Sequence, residues 1–276
     1  MSKRPTRGDH YWQDEDGLWV ENVGPWAKEK LKILTDYVQI CSGARQKYSR
    51  RGFIDVFSGS GKSKIRTSGE LIDGSPIAAF KQAQGASPFS QIYVSDADEE
   101  LLKSATDRLK LLGAPVILVD GPASAALASI VKTIDQYGLH LALLDPHNLG
   151  TLSFDLFEAL AKLKHIDVIV HVSLGDLQRN VDRYTSEDYQ QFDRFAPGWR
   201  EHVRTDVNQA SLRAAILEYW TEKVAGLGLP RAKHCELIRG TQSQRLYWLM
   251  LLAKHDLAHK FWTKITSAAK APGFDF

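Results

Sequence analysis

The sequence predicts an α/β fold built on a mostly parallel sheet with helices on both faces. Three observations predict it. Short apolar runs alternate with stretches of helical period along the chain. The runs are apolar at every position rather than at every second one, as strands covered on both faces are. Acidic residues recur where successive runs end, the rim at which such sheets bind ligands.

Taking the elements in order, residues 1–24 mix charge, glycine and aromatics without a period and read as an irregular arm whose Trp12 and Trp19 dock elsewhere. From Pro25, the residues Trp26, Leu31, Ile33, Leu34, Tyr37, Val38 and Cys41 fall on helical spacings, predicting a helix that ends near Ser42-Gly43. Phe53 to Phe57 is the first buried strand. Comparable runs follow at 91–95, 115–119, 140–144 and 167–172, with helices over 75–84, 98–112, 123–136 and 153–163 between them. Residues 177–229, charged and aromatic, break the alternation and read as an insertion or lid with a helix over 208–224. Two last runs, 233–238 and 245–253, are joined by Gly240-Thr241-Gln242-Ser243, a connection short enough to make them an antiparallel hairpin. The expected division is an arm and helix over 1–50 and the main α/β domain, insertion included, over 51–276.

Composition narrows the classes. The 276 residues are 43% hydrophobic and 25% charged, an ordinary globular balance that excludes collagenous and disordered chains. A net charge of +2 supplies no overall basic footprint. Cys41 and Cys235 are too few for a disulfide framework and suggest a reducing compartment. The longest apolar run, Leu246 to Ala253, falls far short of a membrane span, and no apolar segment follows the basic start, so a cytoplasmic protein without a membrane partner is expected.

The strand ends carry the chemistry. The first strand runs into Asp55-Val56-Phe57-Ser58-Gly59-Ser60-Gly61, the second into Asp96, the third into Asp120, the fourth into Asp145-Pro146. S-adenosylmethionine, cationic at sulfur and nitrogen and lacking phosphate, suits this order. Gly59 and Gly61 admit close backbone approach beside Phe57, Asp55 helps hold an ammonium, Asp96 accepts from a ribose diol, and Asp120 meets the adenine amino group. Blander roles stand beside these: Asp96-Ala97-Asp98 also reads as a helix cap, and Asp120 as a turn residue before Gly121-Pro122. Phosphate loops fit less well. A Walker A loop ending in Gly61-Lys62-Ser63 needs glycine where Val56 stands, and a dinucleotide loop starting at Gly59 needs glycine at Lys64. A phosphate-binding enzyme survives only if Lys62 and Lys64 offset Asp55.

Asp145-Pro146-His147 is the candidate catalytic segment. The Asp145 carboxylate and a neighbouring carbonyl can align an incoming amine with the methyl carbon, and His147 can accept its proton. The alternative is a proline-stiffened turn with an exposed histidine. No metal site is proposed: His255 and His259 are four apart but have no further ligand.

Trp26-x-x-x-Lys30-Leu31-x-Ile33-Leu34-x-x-Tyr37, the loop from Phe53 to Gly61, Asp73-Gly74-Ser75-Pro76, Leu144-Asp145-Pro146, Arg245-Leu246-Tyr247-Trp248-Leu249, Lys254-His255 and Phe261-Trp262-x-Lys264-Ile265 occur in that order. Together they resemble the three-Cys-motif partner protein family across most of the chain. The resemblance implies a class I methyltransferase-like Rossmann sandwich of seven strands, S-adenosylmethionine as cofactor, and a companion that carries three cysteines and is similar to radical-S-adenosylmethionine proteins. Asp55, Gly59 and Gly61 would form the cofactor loop and Asp96 the ribose ligand. Where the family has an aromatic residue and glycine after Asp-Pro, this chain has His147 and Asn148, which leaves open an accessory subunit with weak transfer activity.

A nucleic-acid partner is the remaining expectation. Arg45, Lys47, Arg50 and Arg51 cluster before the first strand. Arg179, Arg183, Arg194, Arg200 and Arg204 interleave with Tyr184, Tyr189, Phe192, Phe195 and Trp199 in the insertion, a pairing of cations and stacking surfaces. The interspersed acids Asp182, Glu187, Asp188, Asp193 and Glu201 favour a small satellite core instead.

Overall fold

A computed structural model of the chain describes residues 6–8, 10–186 and 189–266. In chain order these form β1 (Thr6–Arg7), β2 (Tyr11–Gln13), β3 (Trp19–Val23), α1 (Ala27–Ile40), α2 (Ser42–Arg45), β4 (Arg51–Asp55), β5 (Lys62–Ile65), β6 (Leu71–Asp73), α3 (Ser75–Ala83), β7 (Gln91–Val94), α4 (Glu99–Leu111) and β8 (Val116–Leu118). There follow α5 (Ala123–Thr133), β9 (Leu139–Leu144), α6 (Phe154–Leu160), β10 (His165–Ser173), α7 (Leu174–Thr185), α8 (Trp199–His202), α9 (Gln209–Gly226), β11 (Glu236–Arg239), β12 (Arg245–Ala253) and α10 (Asp256–Ile265).

The main sheet has seven strands in the order β11-β12-β10-β9-β4-β7-β8. Strands β8, β7, β4, β9 and β10 are parallel, while β12 runs antiparallel to both β10 and β11. Strand β4 is central because Phe53 and Ile54 are both fully buried, one on each face. The same division holds along its neighbours. Ala142 and Leu144, then Val168, Val170 and Val172, then Trp248 and Met250 join one core; Leu141 and Leu143, Ile169, Tyr247 and Leu249 join the other. Both faces being apolar, no alternation shows in the sequence. The face carrying Phe53 is covered by α1, α3, α4 and α10, and Tyr37 of α1 meets Trp262 of α10 with ring centroids 6.0 Å apart. The opposite face is covered by α5, α6, α7 and α9.

Helix starts follow local chemistry. Asp98 accepts from the amides of Glu100 and Leu101 to cap α4, Asn208 accepts from Ser211 to cap α9, and Pro76 sits in the first turn of α3. Among the described residues no helix is long and apolar enough to cross a membrane.

One expectation is corrected, and one pair of strands has no counterpart in the sequence reading. The described part of the amino-terminal arm is not irregular: its strands build a second sheet, β1-β2-β3-β5-β6, in which β3 pairs in parallel with β5. Trp19 does dock, its amide donating to Ser104 of α4, while Arg108 of α4 donates to the Trp19 carbonyl at 2.6 Å. The chain between the glycine turn and α3 is an antiparallel pair, β5 with β6, that the charged sequence Lys62-Ser63-Lys64-Ile65 gave no apolar run to announce. The described part of 177–229 is a helical insertion packed on the body of the protein: Phe192, Phe195, Trp199 and Trp220 are fully buried, and Trp220 lies 5.3 Å from Phe157 of α6 and 5.1 Å from Phe195 by ring centroids. It is a packed helical layer whose aromatics join the core under the main sheet rather than form a separate satellite.

Candidate functional site

At the carboxyl rim of the parallel strands a cavity of about 250 Å³ opens between the main sheet, α1 and the small sheet. Its lining includes Phe57, Gly59, Gly61, Asp96, Asp145, Pro146 and His147, seven residues singled out from sequence. Asp55 lies one hydrogen bond behind the wall: fully buried, it accepts from the hydroxyl of Ser75, which lines the cavity, at 2.6 Å. Asp120 is not brought in. It is exposed at the end of β8 and is absent from the lining, consistent with its turn role.

The glycine turn has a specific geometry. Gly59 and Gly61 have φ of +55° and +75°, the left-handed region that side chains disfavour. A Cβ on Gly61 would meet Cα of Ala105 at 3.0 Å, so this glycine lets α4 approach; a Cβ on Gly59 would meet only Glu21 Oε2 at 3.6 Å, so this one presents bare backbone to the cavity. Both oxygens of Asp96 hold the turn, one accepting from the Gly59 amide and the other from the Asp98 amide, each at 2.9 Å. Arg108 clamps it from behind, donating to the Ser60 carbonyl at 2.8 Å and pairing with Asp16 of the arm.

Period-two geometry brings the second half of the site together. Asp55, Asp145, His171 and Tyr247 each neighbour a residue that faces the α5–α9 layer, so all four face α1. From α1, Lys30 forms an ion pair with Asp145 Oδ2, and His171 Nδ1 lies 2.7 Å from Asp145 Oδ1. The Tyr247 ring packs on the His171 imidazole with centroids 3.9 Å apart. Lys30, His171 and Tyr247 all line the cavity, and so does Glu21 of β3.

Electrostatics set the charges. Burial favours a neutral Asp145, but Lys30 and His171 outweigh it and hold the carboxyl far below the ordinary range. Burial likewise opposes the Lys30 charge, yet Asp145, with Glu21 and Asp55, raises it above its usual value. Burial pushes His171 down against the pull of Asp145. Asp55 is pushed up to about 7 by burial, against the hydrogen bonds from Ser75 and Phe57, and Glu21 is raised by burial as well.

Sequence reasoning missed Glu21 and His171 and gave Lys30 and Tyr247 no role. Glu21 was hidden in the supposed arm. His171 had a signal: it is the polar residue of Val168-Ile169-Val170-His171-Val172, a run otherwise buried. The phosphate alternative gains no support: a strand and not a helix follows the turn, Lys62 pairs with Asp14 at 2.6 Å, and Lys64 lies over the Trp12 ring. Of the aromatics weighed as a stacking surface in 177–229, Tyr184, Phe192, Phe195 and Trp199 are buried and Tyr189 is partly buried, and Arg45, 3% exposed, donates to the carbonyls of Val38 and Ser87.

The fold is a class I methyltransferase-like α/β sandwich. The chain is similar to the structure of an O-methyltransferase from Bacillus cereus in complex with SAH, at 14% identity and a TM-score of 0.50 over 84% of this chain and 82% of that one. A Legionella pneumophila protein is similar at 9% identity and a TM-score of 0.51, over 88% and 96%. The DszA carbon methyltransferase is similar at 9% identity and a TM-score of 0.50, covering 83% of this chain and 54% of that one. No protein-family model and no curated protein matches the sequence.

Proposed function

We propose that the protein uses S-adenosylmethionine to methylate a protic nucleophile. The observation that carries this reading is the convergence of Gly59, Gly61, Asp96 and Asp145-Pro146 on one rim cavity. The residues fit the cofactor. Each Asp96 oxygen takes a single amide and keeps capacity for a ribose diol, and Gly59 leaves backbone bare for the methionine portion. Glu21, and Asp55 acting through Ser75, supply negative charge suited to a cationic ligand. The bound cofactor supplies an electrophilic methyl group on sulfur. The chain's part is to align the acceptor, exclude water and hold charge in place, which is where most of the rate of an in-line displacement arises.

An amine of a nucleic acid, protein or small molecule, the acceptor expected from sequence, requires a free Asp145 carboxylate. Here its charge is already matched by the Lys30 ammonium and its other oxygen is held by His171, so we assign Asp145 the role of orienting those two groups. Calorimetry and labelled-methyl transfer test the reading. Asp96→Ala weakens cofactor binding by tenfold or more, on the order of one lost charged hydrogen bond, while Asp145→Ala keeps binding and loses transfer. A wild-type protein that binds neither S-adenosylmethionine nor S-adenosylhomocysteine would end it.

We further propose that the protein works with a three-Cys-motif companion similar to radical-S-adenosylmethionine proteins. Support comes from Trp26, Lys30, Gly74, Asp145 and Tyr247, which carry the family resemblance and all line the cavity. Co-expression with such a companion should give one co-eluting complex, and separate elution would reject it.

A further inference from the structure

The cavity has two halves. Asp96 and the glycine turn lie over β4 and β7, whereas His171 and Tyr247 stand on β10 and β12, on the other side of β9. A ligand held by the first half leaves the second facing whatever is to be modified.

We propose that this second half is an acceptor subsite for a small aromatic hydroxyl compound and that His171 Nε2 is the base that takes the hydroxyl proton. The proposal rests on the cofactor reading for the methyl transfer that comes after proton removal, and on four observations for the base itself. An ionised Asp145 accepts from Nδ1–H, which fixes the imidazole proton there and leaves Nε2 basic. Nε2 has no hydrogen-bond partner among the described residues, and His171 lines the cavity. Tyr247, 5% exposed, holds the ring by packing at 3.9 Å, and its own buried hydroxyl has no hydrogen-bond partner. Lys30 puts an ammonium beside the same carboxylate, where an oxyanion gains from it and a protonated amine is repelled. Trp26, also in the lining, supplies a flat apolar wall for an aromatic ring.

The chemistry balances. The acceptor O–H bond breaks, its electron pair stays on oxygen, and the proton bonds to Nε2. That oxygen then forms the bond to the methyl carbon, and the pair of the broken S–CH₃ bond remains on sulfur, giving a neutral thioether and His171 as imidazolium. His147, exposed at the rim, is the residue this assignment displaces as proton acceptor.

The test uses para-nitrophenol, whose absorbance distinguishes phenol from phenolate, with the full chain in the presence and absence of S-adenosylhomocysteine. At a pH where the free probe is mainly un-ionised, the wild type should bind it as phenolate, with a phenolate-to-phenol ratio about tenfold or more above that in buffer. His171→Gln should bind it as phenol or not at all, while melting normally and binding S-adenosylhomocysteine as the wild type does. Tyr247→Phe should retain the phenolate signal. Absence of probe binding by the wild type, or an undiminished phenolate band in His171→Gln, overturns the proposal. Failure to bind S-adenosylhomocysteine overturns the cofactor reading instead, and the probe spectrum without it reports on His171 separately.

Discussion

Replacing Asp55 by asparagine should make the protein more stable at neutral pH and remove part of its pH dependence. Asp55 is fully buried at the end of the central strand, and its carboxyl is pushed from 3.8 up to about 7. Because the native state holds this proton more tightly than the unfolded chain does, stability falls as pH rises from about 4 through about 7. A shift of about three pH units corresponds to about 4 kcal/mol once the group is fully ionised, of which roughly 3 kcal/mol is lost between pH 5 and pH 8. Asparagine keeps the shape and one oxygen but gives up one of the hydrogen bonds from Ser75 and Phe57, a cost of about 1 kcal/mol that does not vary with pH. Urea unfolding of both proteins at pH 5, 6, 7 and 8 measures the difference directly. Asp167, pushed up to about 6 by burial, titrates alike in both proteins and cancels, and Asp145, held far below the ordinary range, stays ionised throughout. A difference between the two that is constant with pH, or that shifts toward the wild type as pH rises, would refute the reasoning.

The other predictions concern the same site and its support. Lys30→Met breaks a pair whose side chains are 19% and 16% exposed, and should cost about 3–5 kcal/mol in urea unfolding while raising the His171 pKa, read by NMR of the imidazole. Gly61→Ala forces a side chain into φ +75° with Ala105 at 3.0 Å, so at least about 1–2 kcal/mol of stability should be lost together with cofactor affinity. Trp220→Ala should cost about 3–5 kcal/mol yet leave cofactor affinity unchanged, because the helical layer it anchors lines no part of the cavity. Loading a cation beside Asp55 and Glu21, both raised by burial, should release a fraction of a proton at pH 7, measured by calorimetry in buffers of different ionisation enthalpy.

The legibility of each part of the fold depends on how locally its residues report. Runs such as Phe53-Ile54 and Val168-Ile169-Val170 announce doubly covered strands because burial on both faces leaves nothing else to choose. Gly59, Gly61 and Asp96 were legible because a tight turn and a capping carboxylate are short-range devices. The small sheet was not: β3 pairs with β5 across about forty residues, and neither strand carries an apolar run long enough to mark it. The insertion misled in the opposite sense, since arginines interleaved with aromatics look like a binding surface until the rings of Phe192 and Trp199 prove to be fully buried. Lys30, Asp145, His171 and Tyr247 are far apart in the chain, and only the alternation of side chains across β9, β10 and β12 shows that the last three share a face, the one α1 covers with Lys30.

The central claim is tested most directly by a crystal structure of the protein grown with S-adenosylhomocysteine. The ribose diol should lie on the Asp96 carboxylate, the amino-acid portion against the bare backbone of Gly59, and the sulfur should point toward the half of the cavity that holds Lys30, His171 and Tyr247. Density for the ligand at any other place on the chain, with the rim between Asp96 and Asp145 filled only by solvent, would contradict it.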